Sequence, residues 1–425
     1  MIVGKKSCFQ PVSSTCLHEP YRTITPWLAR WVGEGFVVQL VFWVILVLLV
    51  WFGHAVILTW SHNFFYGRLQ SRRLSFVSQV FHGCFLLGFP PLIWLGVGSD
   101  FWAGYFQTTI DWIALVHVIS CLLVLPLFAW ITLHRLNRPL PPWVTLAQQV
   151  VVDPEKEAGL RMGGMGLANW LCHLPFNETL RPELLDYTVS IPGLNKNWDG
   201  LRILHLSDLH FHGSPEREWY RAVFNHCAQP KPDLILITGD LLDGLVFHEW
   251  LVGVLGRLDW KEQAVAILGN HDSWYEPEYL RRTLRRLGFI LPGNGWRLLK
   301  VRGEPMVVAG VESPWFPGMP DLSTTPTGVF RLVLSHSPDH FAWASRQGVD
   351  LILAGHVHGG QVCIPGFGPL VIPSKYGRSL DRGWFQAGKT LMYVNKGLGG
   401  THPLRWNCRP EVMRITLQYL PPPHC

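Results

Sequence analysis

No CxxC pair occurs in the 425 residues, although the chain has nine cysteines, at 8, 16, 84, 121, 172, 227, 363, 408 and 425. An odd number at irregular spacing excludes a zinc knuckle and a regular disulfide framework, and it fits a reducing compartment. Charge is scarce as well, at 16% Asp, Glu, Lys and Arg. The net charge of +6 gathers at one end. Residues 1–138 carry nine Lys/Arg against four Asp/Glu, and the remainder 27 against 26. A protein that grips nucleic acid through its phosphates needs a basic face, so no nucleic-acid partner is expected. Glycine (41) and proline (32) follow no period, and hydrophobic residues make up 48%. That composition excludes collagen-like, low-complexity and disordered chains.

What is abundant is apolar length. Phe36–Trp60 and Val77–Val97 hold no charge, and Ile110–Leu133 holds only Asp111. About 20 apolar residues cross a bilayer as a helix, so three spans are expected, at about 36–60, 77–97 and 110–133. Pro90 and Pro91 interrupt the second, and packing against neighbours can tolerate such a break. The first run starts too late and is too long for a cleaved signal peptide. His54, His82 and His117 are read as helix-packing residues. Arg68, Arg72, Arg73, Arg135 and Arg138 fall on one side of the three spans, Arg22 and Arg30 on the other. The excess of positive charge places the C-terminal part in the cytoplasm. The expected organisation is a tail at 1–35, a transmembrane region at 36–135, a Pro-rich linker at 136–185 and one domain at 186–420. Asn177-Glu178-Thr179 also fits a glycosylation sequon.

From Asp186 onward, short β-rich runs alternate with helical stretches. The runs include Arg202–Leu206, Leu234–Thr238, Ala264–Leu268, Phe330–Leu334 and Leu351–Leu353. Helical stretches include Glu216–Ala228, Phe247–Leu255, Pro277–Leu287 and Pro338–Gln347. This is an α/β pattern with buried strands. Polar residues follow five of the strands directly: Ser207-Asp208-Leu209-His210, Gly239-Asp240-Leu241-Leu242-Asp243, Gly269-Asn270-His271-Asp272, Ser335-His336-Ser337 and Gly355-His356-Val357-His358-Gly359-Gly360. Open α/β sheets bind ligands at the carboxyl ends of their strands. Carboxylate, amide and imidazole without thiolate suit Mn, Fe or Zn in a hydrolytic site. Any one of these loops has a plain structural reading, for example Asp240 as a helix cap. Five in sequence do not.

The series DLH…GDLLD…GNHD…H…GHVH resembles the calcineurin-like metallophosphoesterase superfamily. Asn197–Leu201, HGGQVCIPGFG at 358–368, Asn395–Gly399 and Arg409–Val412 resemble its membrane-associated bacterial branch. That branch includes UDP-2,3-diacylglucosamine hydrolases of lipid A synthesis. The resemblance covers about residues 186–420. It implies a four-layer α/β/β/α sandwich, preceded here by the three-helix transmembrane region. It also implies two divalent metal ions, with Asp208, His210 and His358 on the first, Asn270, His336 and His356 on the second, and Asp240 bridging. Two such ions can acidify a shared water, whose hydroxide attacks phosphorus in line. His271 is then the catalytic group beside phosphorus and Asp272 its orienting partner, with Asp243 supporting the Asp240 loop from behind.

Lys375, Arg378 and Arg382 are candidate phosphate contacts outside the metals, or a solvated basic loop. Trp315, Phe316 and Met319 form an apolar loop that either receives an acyl chain or packs over the domain. The expected protein is a membrane-anchored phosphohydrolase, with the bilayer and a lipid-linked phosphodiester or pyrophosphate as partners. The expected location is a bacterial inner membrane. The alternatives are a phosphodiesterase with a non-lipid substrate, and a membrane sensor or scaffold that uses the domain for binding.

Overall fold

The structure, a computed structural model, describes residues 34–66, 72–96, 108–227, 229–369 and 371–421. The expected N-terminal tail, with Arg22 and Arg30, and the loop position Arg68 lie outside the described residues.

Three helices open the described chain: α1 (Glu34–Tyr66), α2 (Arg72–Gly96) and α3 (Thr109–Leu136). Thr108 and Asp111 cap the start of α3 reciprocally: Asp111 N–H donates to Thr108 Oγ1 (3.2 Å), and Thr108 N–H donates to Asp111 Oδ2 (2.7 Å). Two helical stretches are long and apolar enough to cross a membrane, Leu40–Asn63 and Thr109–Leu136. Among the described residues α2 contributes a shorter apolar stretch, Val80–Phe89. The first and third of the three expected spans meet this requirement, and among the described residues α2 offers only the shorter stretch. Polar Ser78 and the Pro90–Pro91 pair flank the apolar part of α2.

The spans touch at small residues and through aromatic rings. A Cβ on Gly53 of α1 would lie 2.1 Å from the Cys121 carbonyl oxygen of α3, so only glycine lets these backbones meet. His54 bonds the Phe85 carbonyl (3.1 Å) and packs on Phe89 and His117, which is a packing role.

Two six-stranded sheets follow, together with a two-stranded antiparallel pair, β10 (Cys363–Ile364) and β11 (Gly368–Pro369). The first runs in the order β1 (Val144–Val151), β2 (Glu183–Val189), β14 (Glu411–Leu417), β3 (Arg202–Leu206), β4 (Leu234–Ile237), β5 (Gln263–Ala266). The second runs β12 (Gly383–Ala387), β13 (Thr390–Val394), β9 (Leu351–Ala354), β8 (Phe330–Ser335), β7 (Glu304–Val311), β6 (Trp296–Val301). Strands β3, β4 and β5 are mutually parallel, as are β7, β8, β9 and β13.

Alternate residues of each strand serve opposite faces. Ile203, Leu236 and Val265 of the first sheet pack with Leu332, Leu353 and Tyr393 of the second in one shared core. Leu204, Ile235 and Ala264 face outward onto Trp219 and Val223 of α4 (Arg217–Cys227) and Leu280 and Leu284 of α5 (Pro277–Arg286). Val333 and Ile352 face outward onto Phe341 and Ala344 of α6 (Phe341–Arg346). Both faces of the central strands are thus covered, which is why they read as unbroken apolar runs.

The stretch expected as a linker carries β1, an edge strand paired antiparallel to β2. All of β1 after Val144 is exposed, so its sequence lacks the apolar alternation of a half-buried strand. The sequon residue Asn177 is a structural tie. Its amide donates to the Leu171 carbonyl (2.6 Å) and the Pro403 carbonyl (2.8 Å).

The helical region and the sheets meet directly. Asn63, near the end of α1, accepts from the Ile372 N–H (3.3 Å). Arg135, in the last turn of α3, donates to Asp381 (2.7 Å). The C-terminal ends of α1 and α3 therefore lie on the same side, against the sheet-bearing part of the chain.

Candidate metal centre

The five polar loops converge at the carboxyl ends of β3, β4, β5, β8 and β9. Asp208, His210, Asp240 and His358 bring one ligand atom each to within 4.8 Å of one another, and so do Asp240, His336 and His356. Asp240 belongs to both groups. Its Oδ2 lies 3.5 Å from His210 Nε2 and 3.3 Å from His336 Nε2. Asn270 Oδ1 is 2.9 Å from His336 Nε2.

The backbone at these positions is unusual. Asp208, His210, Asp240, His356 and His358 all have left-handed φ, between 45° and 71°. Such strain in non-glycine residues costs of order 1–3 kcal/mol each and persists where function requires it. Glycine makes the crowding possible. A Cβ on Gly355 would lie 1.8 Å from Ser207 Oγ and 2.4 Å from Asp208 Oδ2, and one on Gly269 would lie 2.2 Å from Asp240 Oδ1.

Each ligand is braced. His336 Nδ1 donates to the Thr238 carbonyl (2.7 Å), which leaves Nε2 with its lone pair toward the cluster. Asp208 accepts from the His356 N–H (3.0 Å) and the Ser207 hydroxyl; Ser207 in turn accepts from Thr238 Oγ1 (2.7 Å). The Arg405 guanidinium, fully buried, donates to the Lys396 and Gly399 carbonyls and lies 3.4 Å from His358 Nδ1. Arg405 was not singled out in the sequence, because nothing local marks it. Lys396 pairs with the buried carboxylates of Glu183 and Glu411 beneath the site.

Asp243 and Asp272 have roles other than those expected. Asp272 does not bond the His271 ring. Its Oδ1 accepts from Leu241 N–H (2.8 Å) and Leu242 N–H (3.3 Å), and its Oδ2 from Gly269 N–H (2.9 Å). It therefore ties the β4 loop to the β5 loop. Asp243 orients His271: its Oδ1 lies 2.5 Å from His271 Nδ1 and 3.0 Å from His210 Nδ1. Adjacency in sequence suggested Asp272, but the turn directs that carboxylate inward.

Burial would raise the Asp243 carboxyl, but the His210 and His271 imidazoles outweigh it and hold Asp243 well below the usual range. Burial likewise opposes a charge on His210, yet Asp243 and Asp240 push it up to about 9. His356 has little such help, and burial pushes it down to about 3.

The residues fit divalent metal ions. His356 Nε2 is buried without a hydrogen-bond partner among the described residues. His210 Nε2 and His358 Nε2 lie 3.1 Å apart. Two ring nitrogens at that distance need a proton or a cation between them. Imidazoles and carboxylates gathered at buried positions form the donor set of a hydrolytic metal centre, and a divalent ion there would displace their protons.

A cavity of about 1530 Å³ opens over the cluster. Asp240, Asn270, His271, His356 and His358 lie in its wall, with His212, His402, Phe247, Trp250 and Trp274. The cavity extends to Met165 and to His62 of α1 and His82 of α2. Trp315 closes the other flank, its ring 5.1 Å from His336 and 4.8 Å from His356. Phe316 packs beside the first sheet's outer core, so this loop covers the domain.

Lys375, Arg378 and Arg382 do not line the cavity. Lys375 is exposed beside Tyr376. Arg378 is buried between Phe128 and Phe367, and Arg382 donates to the Asn407 carbonyl.

Residues 201–360 match the calcineurin-like phosphoesterase family. The chain is 32% identical over 266 residues to the uncharacterized metallophosphoesterase YkuE of Bacillus subtilis, covering 60% of this chain and 90% of that one. It is 29% identical over 221 residues to phosphodiesterase YaeI of Escherichia coli, covering 51% and 82%. It is 26% identical over 310 residues to the UDP-2,3-diacylglucosamine pyrophosphatase LpxG of Chlamydia muridarum, covering 59% and 93%. The chain belongs to the calcineurin-like metallophosphoesterase family and is a metal-dependent phosphoester hydrolase.

Proposed function

We propose that this phosphoesterase is membrane-anchored and cleaves a phosphodiester or pyrophosphate bond in a lipid-linked substrate. In this reading residues 36–135 anchor the chain and 186–420 carry the catalytic domain on the cytoplasmic side, with the connecting stretch 136–185 adding β1 to the edge of its first sheet. Asp208, His210 and His358 hold one divalent ion, Asn270, His336 and His356 the other, and Asp240 touches both. When bound, such ions supply an acidified water and positive charge for the phosphoryl oxygens.

The chain's own groups do the rest. With Nδ1 held by Asp243, His271 keeps Nε2 for the substrate, where it steadies charge on the phosphoryl group or protonates the leaving oxygen. Asp240 also accepts from the His271 N–H (2.8 Å), which fixes the ring relative to the carboxylate. Asp243 sets the tautomer of both His210 and His271.

The observation that carries the lipid reading is the cavity. It runs from the carboxylates and imidazoles to the ends of the apolar helices. Met165 lies in its wall, and Leu167, Trp170 and Phe176, close to it in sequence, are exposed apolar side chains suited to a bilayer. A polar head at the cluster and an acyl tail along those side chains would both be accommodated. The sequence likeness to LpxG adds weight in the same direction.

The test is hydrolysis by purified full-length protein with Mn²⁺, comparing bis-p-nitrophenyl phosphate with UDP-2,3-diacylglucosamine. His271→Ala serves as the control. Preferential turnover of the lipid nucleotide is the expected result. Turnover of the small diester alone would replace the lipid reading with a general phosphodiesterase. No turnover of either, with metal bound, would favour a membrane sensor.

A further inference from the structure

Four arginines crowd the junction between the helical region and the catalytic half. Arg135 and Arg138 come from the end of α3, and Arg378 and Arg382 from the loop before β12. Among these five groups the only carboxylate is Asp381, which leaves three positive charges in excess. Asp381 pairs most closely with Arg135, whose Nε and Nη2 reach Oδ2 at 2.7 and 2.6 Å, and more distantly with Arg138 (3.9 Å) and Arg382 (3.8 Å). Arg138 donates to the Ser379 and Arg382 carbonyls (3.2 and 2.8 Å). Arg382 donates to the Asn407 carbonyl (3.3 Å).

Arg378 is different. It is 4% exposed, and none of its three guanidinium nitrogens has a hydrogen-bond partner among the described residues. Its Cζ sits 4.5 Å from the Phe128 ring and 4.5 Å from the Phe367 ring. Ring faces offset part of the desolvation but accept no in-plane N–H. Burial and the neighbouring Arg135 push the Arg378 guanidinium down to about 10. A Cβ on Gly368 would meet Arg135 Nη1 at 2.7 Å and Arg378 Nη2 at 2.8 Å. Two guanidiniums thus lie side by side over a residue that has no side chain. Asp381 answers one of these two buried charges, Arg135, and leaves Arg378 without a counter-anion.

We propose that Arg135 and Arg378 form a phosphate site at this junction, separate from the metal centre, and that a lipid headgroup fills it. Guanidinium forks match phosphate oxygens in geometry as well as charge. The surroundings favour a lipid as the source. Phe128 lies two turns before Arg135 on an apolar helix, and Phe52 of α1 packs on both Phe128 and Phe367. Arginine and aromatic rings at the end of an apolar helix belong at headgroup depth. None of the four arginines lines the metal cavity, so the site binds and positions without touching the substrate.

The test compares wild type with Arg378→Met, both full-length in lipid nanodiscs, by apparent unfolding midpoint. The lipids are pure phosphatidylcholine, a mixture with phosphatidylglycerol, and phosphatidylcholine with added inorganic phosphate. Phosphatidylglycerol is expected to raise the wild-type midpoint by at least about 3 °C, and Arg378→Met to abolish that rise. In pure phosphatidylcholine the variant is expected to be at least as stable as wild type, because it removes a buried charge with no partner. An Arg378-dependent rise produced only by inorganic phosphate would keep the site and make free phosphate its ligand. An equal rise in both proteins, or no rise in either, would overturn the proposal. So would a variant destabilised equally in every lipid, since the guanidinium would then be stabilised from within the chain.

Discussion

Asp243 and His271 share a contact of 2.5 Å between carboxylate and ring, and the same carboxylate oxygen lies 3.0 Å from His210. One side chain thereby sets the orientation of the expected catalytic histidine and of a candidate metal ligand. Asp243→Asn is expected to lower turnover about 10- to 100-fold and to weaken metal binding in parallel. Steady-state kinetics across a Mn²⁺ titration check both effects. Unchanged metal affinity would separate His210 from Asp243.

Asp272→Ala should behave differently. It leaves the N–H groups of Leu241, Leu242 and Gly269 without their acceptor in a buried place. A loss of stability of about 1–3 kcal/mol is expected, read by denaturant unfolding. A normal midpoint with lost activity would return Asp272 to the chemistry.

Gly355→Ala tests the crowding behind the cluster. The added methyl would overlap Ser207 and Asp208. Displacement of Asp208 is expected to cost about 1–3 kcal/mol and to weaken metal retention. Isothermal titration of the metal-free protein with Mn²⁺ measures the second effect. Wild-type affinity would show that Asp208 can move without harm.

Chelation should abolish hydrolysis, and Mn²⁺ should restore it. Asp240→Ala is expected to remain inactive at any metal concentration, because its carboxylate faces both histidine groups. Turnover within about tenfold of wild type would be incompatible with metal catalysis at this carboxylate.

Stability should fall in acid, partly through His205. Burial pushes this imidazole down to about 3, and it is held neutral beside Thr238 Oγ1 at 2.9 Å. The unfolded chain takes up a proton near pH 6.5, whereas the folded one resists until about 3. The unfolded state therefore binds more protons in that window, and stability decreases as pH falls from 6.5 toward 3. His205→Gln is expected to flatten that slope by one proton, about 1.4 kcal/mol per pH unit. Urea unfolding at pH 5 and pH 7 measures it. An unchanged slope would assign the acid sensitivity to other groups.

The parallel strands at the site were legible in the sequence because β3, β4, β5, β8 and β9 are apolar runs that end in polar loops. Those loops also carried the whole candidate cluster, since each ligand sits within four residues of a strand end. The edge strands β1, β6 and β12 were not legible: their side chains meet solvent or a neighbour on one side only, and apolar patterning fades there. Tertiary contacts lay further out of reach. Arg405 reaches His358 from 47 residues away. Arg378 meets α3 rather than the cleft because Phe128, 250 residues earlier, supplies its packing surface.

The contacts of Asn63 with Ile372 and of Arg135 with Asp381 pin the sheets to the helices at two separate points. A domain on one flexible tether can swivel and search a surface for its target. Two anchor points remove most of that rotation and leave mainly tilt. The cleft mouth is then held at a fixed height and bearing above the helical layer. For the lipid-linked substrate proposed above, molecules would reach that mouth by diffusing within the bilayer plane, and turnover would follow their lateral density rather than their bulk concentration.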